Sequence, residues 1–272
     1  IGFCLVGSEM CIRDRITACQ RNNLTIVERL IDANATINAT GKDGETALMH
    51  VCRIREPETE TADKVLEKLI EKGAKIEAKD NDGKTALITA CQLNNLPIAE
   101  KLIEKGAKIE AKDKDGKTAL ITACQQNNLP IAEKLIAAGA DLEGKNEKGE
   151  TALMIAAIHG EESLVDNLIQ AGVDIDATNN RGETALMMAC QRTNEKMVSA
   201  LIQAGADVNK RDHSGKTLGK TALDYAKKTG NKSITNLLNV KRPRRPNRLP
   251  TMQPASTKAS TASKTQSSYV SR

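Results

Sequence analysis

Seven cysteines, three histidines and a Gly-Lys-Thr tripeptide that occurs three times are the residues of this 272-residue chain whose types could do chemistry. Cysteine and histidine hold zinc when they come in close pairs such as Cys-x-x-Cys, and no such pair occurs. His50, His159 and His213 stand at unrelated places and form no constellation. The Gly-Lys-Thr at 83–85, 116–118 and 215–217 ends as a phosphate loop ends, but the upstream Gly that such a loop needs is missing. No nucleophile elbow and no triad can be assembled. The chain is therefore expected to be neither an enzyme nor a holder of a metal or cofactor. One regularity remains: Cys19, Cys52, Cys91, Cys124 and Cys190 each follow an Ala or Val in the same local context.

That context is a repeat. The triplet Thr-Ala-Leu begins at Thr46, Thr85, Thr118, Thr151, Thr184 and Thr221, and three successive intervals are 33 residues. Residues 69–92 and 102–125 match over 24 positions with one difference, Asn81 against Lys114. Within a unit, Ala86, Leu87, Ala90 and Cys91, then Leu96, Ala99, Leu102 and Ile103, follow the 3.6-residue period of two short amphipathic helices. Thr85 is placed to cap the first helix. Pro97 and Pro130 fall in the first turn of the second, where the missing N–H is orphaned anyway, and Gly106 and Gly139 close it. Helices this short are unstable alone, so the units must stack. Equivalent helices pack about 8–10 Å apart, and a disulfide needs Cα atoms within about 7 Å. The cysteines therefore read as small buried thiols, which suits a reducing, intracellular and cytoplasmic setting.

These motifs resemble the ankyrin repeat: a 33-residue period, Thr-Ala-Leu-x-x-Ala, and the Gly-Ala-Asp-Val-Asn of 205–209. The departure is Ala for Pro after the Thr, at Ala47, Ala86, Ala119, Ala152, Ala185 and Ala222, which a helix start tolerates. The resemblance implies an all-α solenoid of about seven helix-turn-helix units, starting near 16, 41, 80, 113, 146, 179 and 212, joined by β-hairpin-like turns. It also implies partner binding, by the turn tips and by the exposed ridge of the first helices. The tips are Lys42-Asp43, Asn81-Asp82, Lys114-Asp115, Glu147-Lys148, Asn180-Arg181 and His213-Ser214. The ridge is Gln20-Arg21, Gln92-Leu93, Gln125-Gln126, Ile158-His159 and Gln191-Arg192. Amide and guanidinium groups interspersed with Leu and Ile suit a protein partner. A monomeric scaffold for protein–protein interaction is the expectation.

The two ends depart from the repeat. Nothing before Ile16 follows the pattern, and Arg13, Asp14 and Arg15 stand where other copies have Thr-Ala-Leu, two cations in apolar positions. Residues 1–15 are expected to be a non-native leader resembling translated adapter sequence, with an atypical cap as the alternative. An upstream effector or enzymatic region, for which this array selects the substrate, is the competing functional reading. Residues 241–272 hold eight Lys and Arg and no acid, leaving −3 of the +5 net charge to the first 240 residues. This Ser/Thr/Pro-rich tail is expected to be disordered. Its cluster Lys241, Arg242, Arg244, Arg245 and Arg248 reads as a nuclear-import-like or polyanion-binding patch. It would tether weakly to nucleic acid or acidic membrane, since no aromatic is interleaved to stack on bases. Aromatics are 1% of the chain, so its core must be aliphatic.

Overall fold

The computed structural model describes residues 37–54, 59–213 and 219–239. The expectations for residues 1–36 and for the tail from 241 lie outside these residues. The chain divides into two units, 1–240 and 241–272, and the architecture below is that of the first.

Twelve helices and no strand occur among the described residues. They are α1 (Ala47–Val51), α2 (Thr59–Glu71), α3 (Ala86–Gln92), α4 (Leu96–Glu104), α5 (Ala119–Gln125), α6 (Leu129–Ala137), α7 (Ala152–His159), α8 (Glu162–Gln170), α9 (Ala185–Gln191), α10 (Glu195–Gln203), α11 (Ala222–Thr229) and α12 (Lys232–Asn239). Odd-numbered helices pack on odd-numbered neighbours and even on even, so the array is a two-layered stack of helix pairs.

The repeated letters have local physical jobs. Each signature Thr is an N-cap in the extended conformation; Thr85, at φ −89° and ψ 169°, accepts from the Ile88 N–H. Thr46, Thr118, Thr151, Thr184 and Thr221 do the same for their helices. An N-cap oxygen satisfies one of the donors a helix leaves orphaned, which is worth about 1 kcal/mol. The second helices α4, α6 and α10 are capped by Asn95, Asn128 and Asn194, and Pro97 and Pro130 sit in the first turn of α4 and α6.

The closing Gly-Ala or Gly-Val is a Schellman motif. Gly106 takes φ +83°, and the next amide, Ala107 N–H, returns 2.9 Å to the Leu102 carbonyl. Ala74, Ala140, Val173 and Ala206 make the same bond to Leu69, Leu135, Leu168 and Leu201. The Leu thus pays twice, once as core and once as C-cap acceptor. The first helices α3 and α5 end the same way, but with Asn94 and Asn127 at φ 58° and 54°, whereas α7 ends on an extended Gly160. Asn tolerates the left-handed region, whereas the β-branched Thr193 at φ 56° carries strain of about 1–3 kcal/mol.

Burial follows the pattern. Leu87, Leu120, Leu153 and Leu186 of the first helices and Leu102, Leu135, Leu168 and Leu201 of the second are buried throughout. Cys52, Cys91, Cys124 and Cys190 are buried free thiols, as their shared register implied. Cys52 Sγ lies 3.4 Å from the carbonyls of Leu48 and Ala86, so its thiol bridges two units. Burial pushes the thiols of Cys52, Cys124 and Cys190 up to about 12 and Cys91 higher still. At neutral pH they are protonated packing groups rather than nucleophiles.

Candidate partner-binding face

The turns between units are built by one side chain each. Asp80 Oδ1 accepts from the N–H groups of Asp82 and Lys84 at 2.9 and 2.8 Å. Asp113, Asn146 and Asn179 repeat both bonds in their own turns. Asp212 Oδ1 likewise takes a backbone N–H, that of Lys220, at 2.6 Å. These Asx bonds fix the turn before any neighbour arrives.

Neighbouring turns are then stitched by backbone. Asn81 N–H donates to Asp43 O at 2.9 Å, Lys114 to Asp82 at 2.8 Å, Glu147 to Asp115 at 2.9 Å, Asn180 to Lys148 at 3.1 Å and His213 to Arg181 at 2.7 Å. The expected hairpin-like tips are thus closed turns linked one bond at a time. Their approach is close: at Gly116, with φ +74°, a Cβ would come 2.8 Å from the Glu147 nitrogen.

The tip residues Lys42, Asp43, Asn81, Asp82, Lys114, Asp115, Glu147, Lys148, Asn180, Arg181 and His213 are exposed, and Ser214 lies outside the described residues. Four of them are already engaged: the amides of Asn81 and Asn180 donate to Lys42 O and Glu147 O in the preceding turn, and the carboxylates of Asp82 and Asp115 pair with Lys84 and Lys117. On the ridge, Gln92, Gln125, Gln126, His159, Gln191 and Arg192 are exposed, and Leu93 and Ile158 are half-buried. Gln191 Nε2 donates to Glu183 Oε1 at 2.9 Å, tying ridge to turn. The tips and the ridge are carried by the same layer of the stack, the turn entering each first helix and the C-terminal end of that helix.

The structure adds residues that the sequence reading omitted. Arg53-Ile54 and Lys228-Thr229 occupy the ridge register of the first and last described units, seven and eight residues after the signature Thr. Counting from Thr46 and Thr221 would have found them. Between tip and ridge runs a floor, Glu45, Lys84, Lys117, Glu150, Glu183 and Lys220, each directly before the Thr. Beneath it stands the residue four after the Thr: His50, Thr89, Thr122, Ile155, Met188 and Tyr225, all buried. A cleft of about 370 Å³ opens between two turns, lined by Glu147, Lys148, Glu150, Asn179, Asn180, Arg181 and Glu183.

Both ends of this floor hold buried polar clusters. Tyr225 OH bonds to Asp212 Oδ2 and, at 3.2 Å, to Glu183 Oε1, and Lys220 Nζ lies 5.8 Å from its ring centroid. Glu183 Oε2 also accepts from Asn179 Nδ2 at 3.0 Å. Burial, then the Asp212 and Glu183 carboxylates, hold the phenol well above its ordinary range. At the other end His50 Nε2 is 3.4 Å from Glu45 Oε2, and Glu45 also pairs with Arg53. Burial dominates and lowers the His50 pKa; Arg53 adds to this, while Glu45 and Asp43 oppose it.

A depressed histidine favours the unfolded chain once protons bind. The first described unit should therefore hold full stability above about pH 6.5, where the imidazole is neutral folded or unfolded, and lose it as pH falls toward the lower folded pKa. The thermal midpoint is expected to drop between pH 7 and 5.5, and His50→Thr, the residue found at Thr89 and Thr122, to flatten that drop. An equal drop in the variant would assign the pH response elsewhere.

The comparisons with known proteins follow this geometry. A family model described as ankyrin repeats in three copies matches residues 16–113, 110–179 and 154–247. Among solved structures, a similar chain is titled as the crystal structure of the ankyrin repeat domain of Bcl-3, a unique member of the IkappaB protein family. The TM-score is 0.71 at 24% identity, covering 86% of this chain and 99% of that one, a likeness of fold. No curated protein matches the chain. Among the described residues no helix is long and apolar enough to cross a membrane.

Proposed function

Because this chain belongs to the ankyrin repeat family, we propose that it is a non-catalytic scaffold that holds a partner protein in the groove formed by its turn tips and first-helix ridge. Ankyrin repeats are in general protein-interaction modules, and stacked repeats bind along the extended face that their turns and inner helices share. The observation that carries the reading is the ridge itself. Gln92, Gln125, Gln126 and Arg192 are exposed, and their side chains have no hydrogen bond to the protein among the described residues. They stand on helices whose ends are pinned by Thr caps and αL turns, so donors and acceptors are presented at fixed spacing with little ordering cost. Leu93 and Ile158, half-buried among them, offer apolar contact. By contrast, charges of the second-helix layer pair within it: Lys101 with Glu67 and Lys134 with Glu100, both at 2.8 Å.

Replacing Gln92, Gln125 and Gln191 together by Arg is expected to abolish capture of partners from lysate, with helical content and unfolding midpoint unchanged. Retained capture would overturn the groove reading.

A further inference from the structure

Within that groove the charge is not uniform. The second residue of each tip reads Asp43, Asp82, Asp115, Lys148, Arg181 along the array; Lys42, Lys114 and Glu147 beside them offset Asp43, Asp115 and Lys148, whereas nothing in its own tip offsets Arg181. Where the tip is Asp, the floor lysine behind it is neutralised: Lys84 Nζ lies 3.2 Å from Asp82 Oδ2 and Lys117 Nζ 3.1 Å from Asp115 Oδ2. The ridge cation of the first described unit, Arg53, is likewise paired with Glu45. Toward the other end this neutralisation stops. Arg181, Arg192 and Lys228 are exposed and have no ion pair among the described residues, and Lys220 is exposed over the Tyr225 ring. Two anions of that region, Glu183 and Asp212, are buried and engaged by Tyr225 OH, and the exposed Asp224 is held in the Thr221 capping box.

We propose that this end of the groove, Arg181, Arg192, Lys220 and Lys228, takes the acidic stretch of an extended peptide segment belonging to the partner protein. The inference rests on the groove reading above and names the chemistry of its occupant. Helix dipoles do not account for the ridge cations, because α3 and α5 end at the same register with Gln92-Leu93 and Gln125-Gln126 and no cation at all. Repeats stack about 10 Å apart and an extended chain advances about 3.3 Å per residue, so acids recurring every third residue match successive units. Glu147 and Glu150 in the turn before Arg181 repel acid and mark where the acidic stretch ends. Beyond them the half-buried Ile158 and Leu93 and the free ridge amides suit apolar and amide side chains.

A nucleic acid fits less well. Tyr225 is buried with its hydroxyl engaged, leaving no aromatic face for base stacking among the described residues, and Glu147 and Glu150 oppose a polyanion continuing along the groove.

The test uses the full chain and three labelled probes: a dodecapeptide with Glu at every third position, its Gln counterpart, and an oligothymidylate of equal length, read by fluorescence anisotropy. The Glu peptide is expected to bind about tenfold or more tightly than the Gln peptide, and Arg192→Glu with Lys228→Glu to weaken it about tenfold or more. Arg244→Gln with Arg245→Gln should leave it unchanged. If the charge reversal prevents folding, judged by circular dichroism, Arg192→Gln with Lys228→Gln is expected to give a smaller loss in the same direction. No binding of the Glu peptide, binding indifferent to Arg192 and Lys228, or binding lost with Arg244 and Arg245 overturns the inference. So does oligothymidylate bound as tightly through Arg192 and Lys228, which would make the site a general polyanion site. Partner capture lost in the triple Gln variant but kept in the Arg192/Lys228 variant overturns this inference and leaves the groove reading standing. Capture kept in both overturns the groove reading itself.

Discussion

Leu120→Ala is expected to destabilise the array by about 3–4 kcal/mol, the range for a large aliphatic side chain removed from a core that cannot collapse around the hole. Leu120 is 1% exposed and lies in α5, which packs on α3, α6 and α7. In a globular domain the loss would lower one midpoint. In a stack, stability is a sum of unit and nearest-neighbour interface terms, so a hole in a central unit weakens both interfaces that hold the two ends together. The urea transition followed by circular dichroism is therefore expected to move to lower denaturant and also to broaden or divide. Gln126→Ala, on the exposed ridge six residues on, serves as the control and should change stability by less than about 0.5 kcal/mol. A shift for Leu120→Ala no larger than the control's would mean that the units are not stacked through this leucine.

Tyr225→Phe is expected to cost about 2 kcal/mol although it removes a single oxygen. The phenol is the donor that two buried carboxylates, Asp212 and Glu183, share, and they come from two successive turns. Phe fills the same space but gives neither a hydrogen bond, and a charged acceptor that loses a buried donor is more expensive than a neutral one. Asp212 also holds the Lys220 amide that shapes the last turn, so the loss should be local. Amide hydrogen exchange should accelerate in α11 and α12 well before α3 or α5, and the Lys220 contribution to peptide binding should fall with it. Uniform acceleration across the array, or none, would deny Tyr225 this locking role.

The parts of the fold legible from the letters are those set by nearest neighbours in sequence. Thr85 caps α3 and Pro97 opens α4, and both were read from spacing alone. The Gly-Ala that ends each unit read as a stop; in the structure the amide after the Gly closes the Schellman bond, as any residue but Pro could, and burial, 7% exposed at Ala107, suits a small apolar side chain there. The cysteine register implied burial, and the described cysteines are buried. The tips and ridge were placed on the exposed surface they occupy.

What the letters did not give is which of those polar groups are already in use. Asn81 and Asn180 look like contact residues in sequence but donate to the turn before them, and Glu183 is 7% exposed and accepts hydrogen bonds from Gln191 and Tyr225. Lys84 and Lys117 are neutralised by Asp82 and Asp115, whereas Arg181 and Arg192 have no ion pair among the described residues. The sequence by itself determined the period, the helix pairs, the caps and the buried set, because each rests on bonds spanning five residues or fewer or on an apolar stripe repeated in every unit. Only the tertiary structure decided which side chains remain for a partner and where the groove turns cationic. Those outcomes depend on contacts between units, such as the 42-residue span from Glu183 to Tyr225, that exist only once the repeats have stacked.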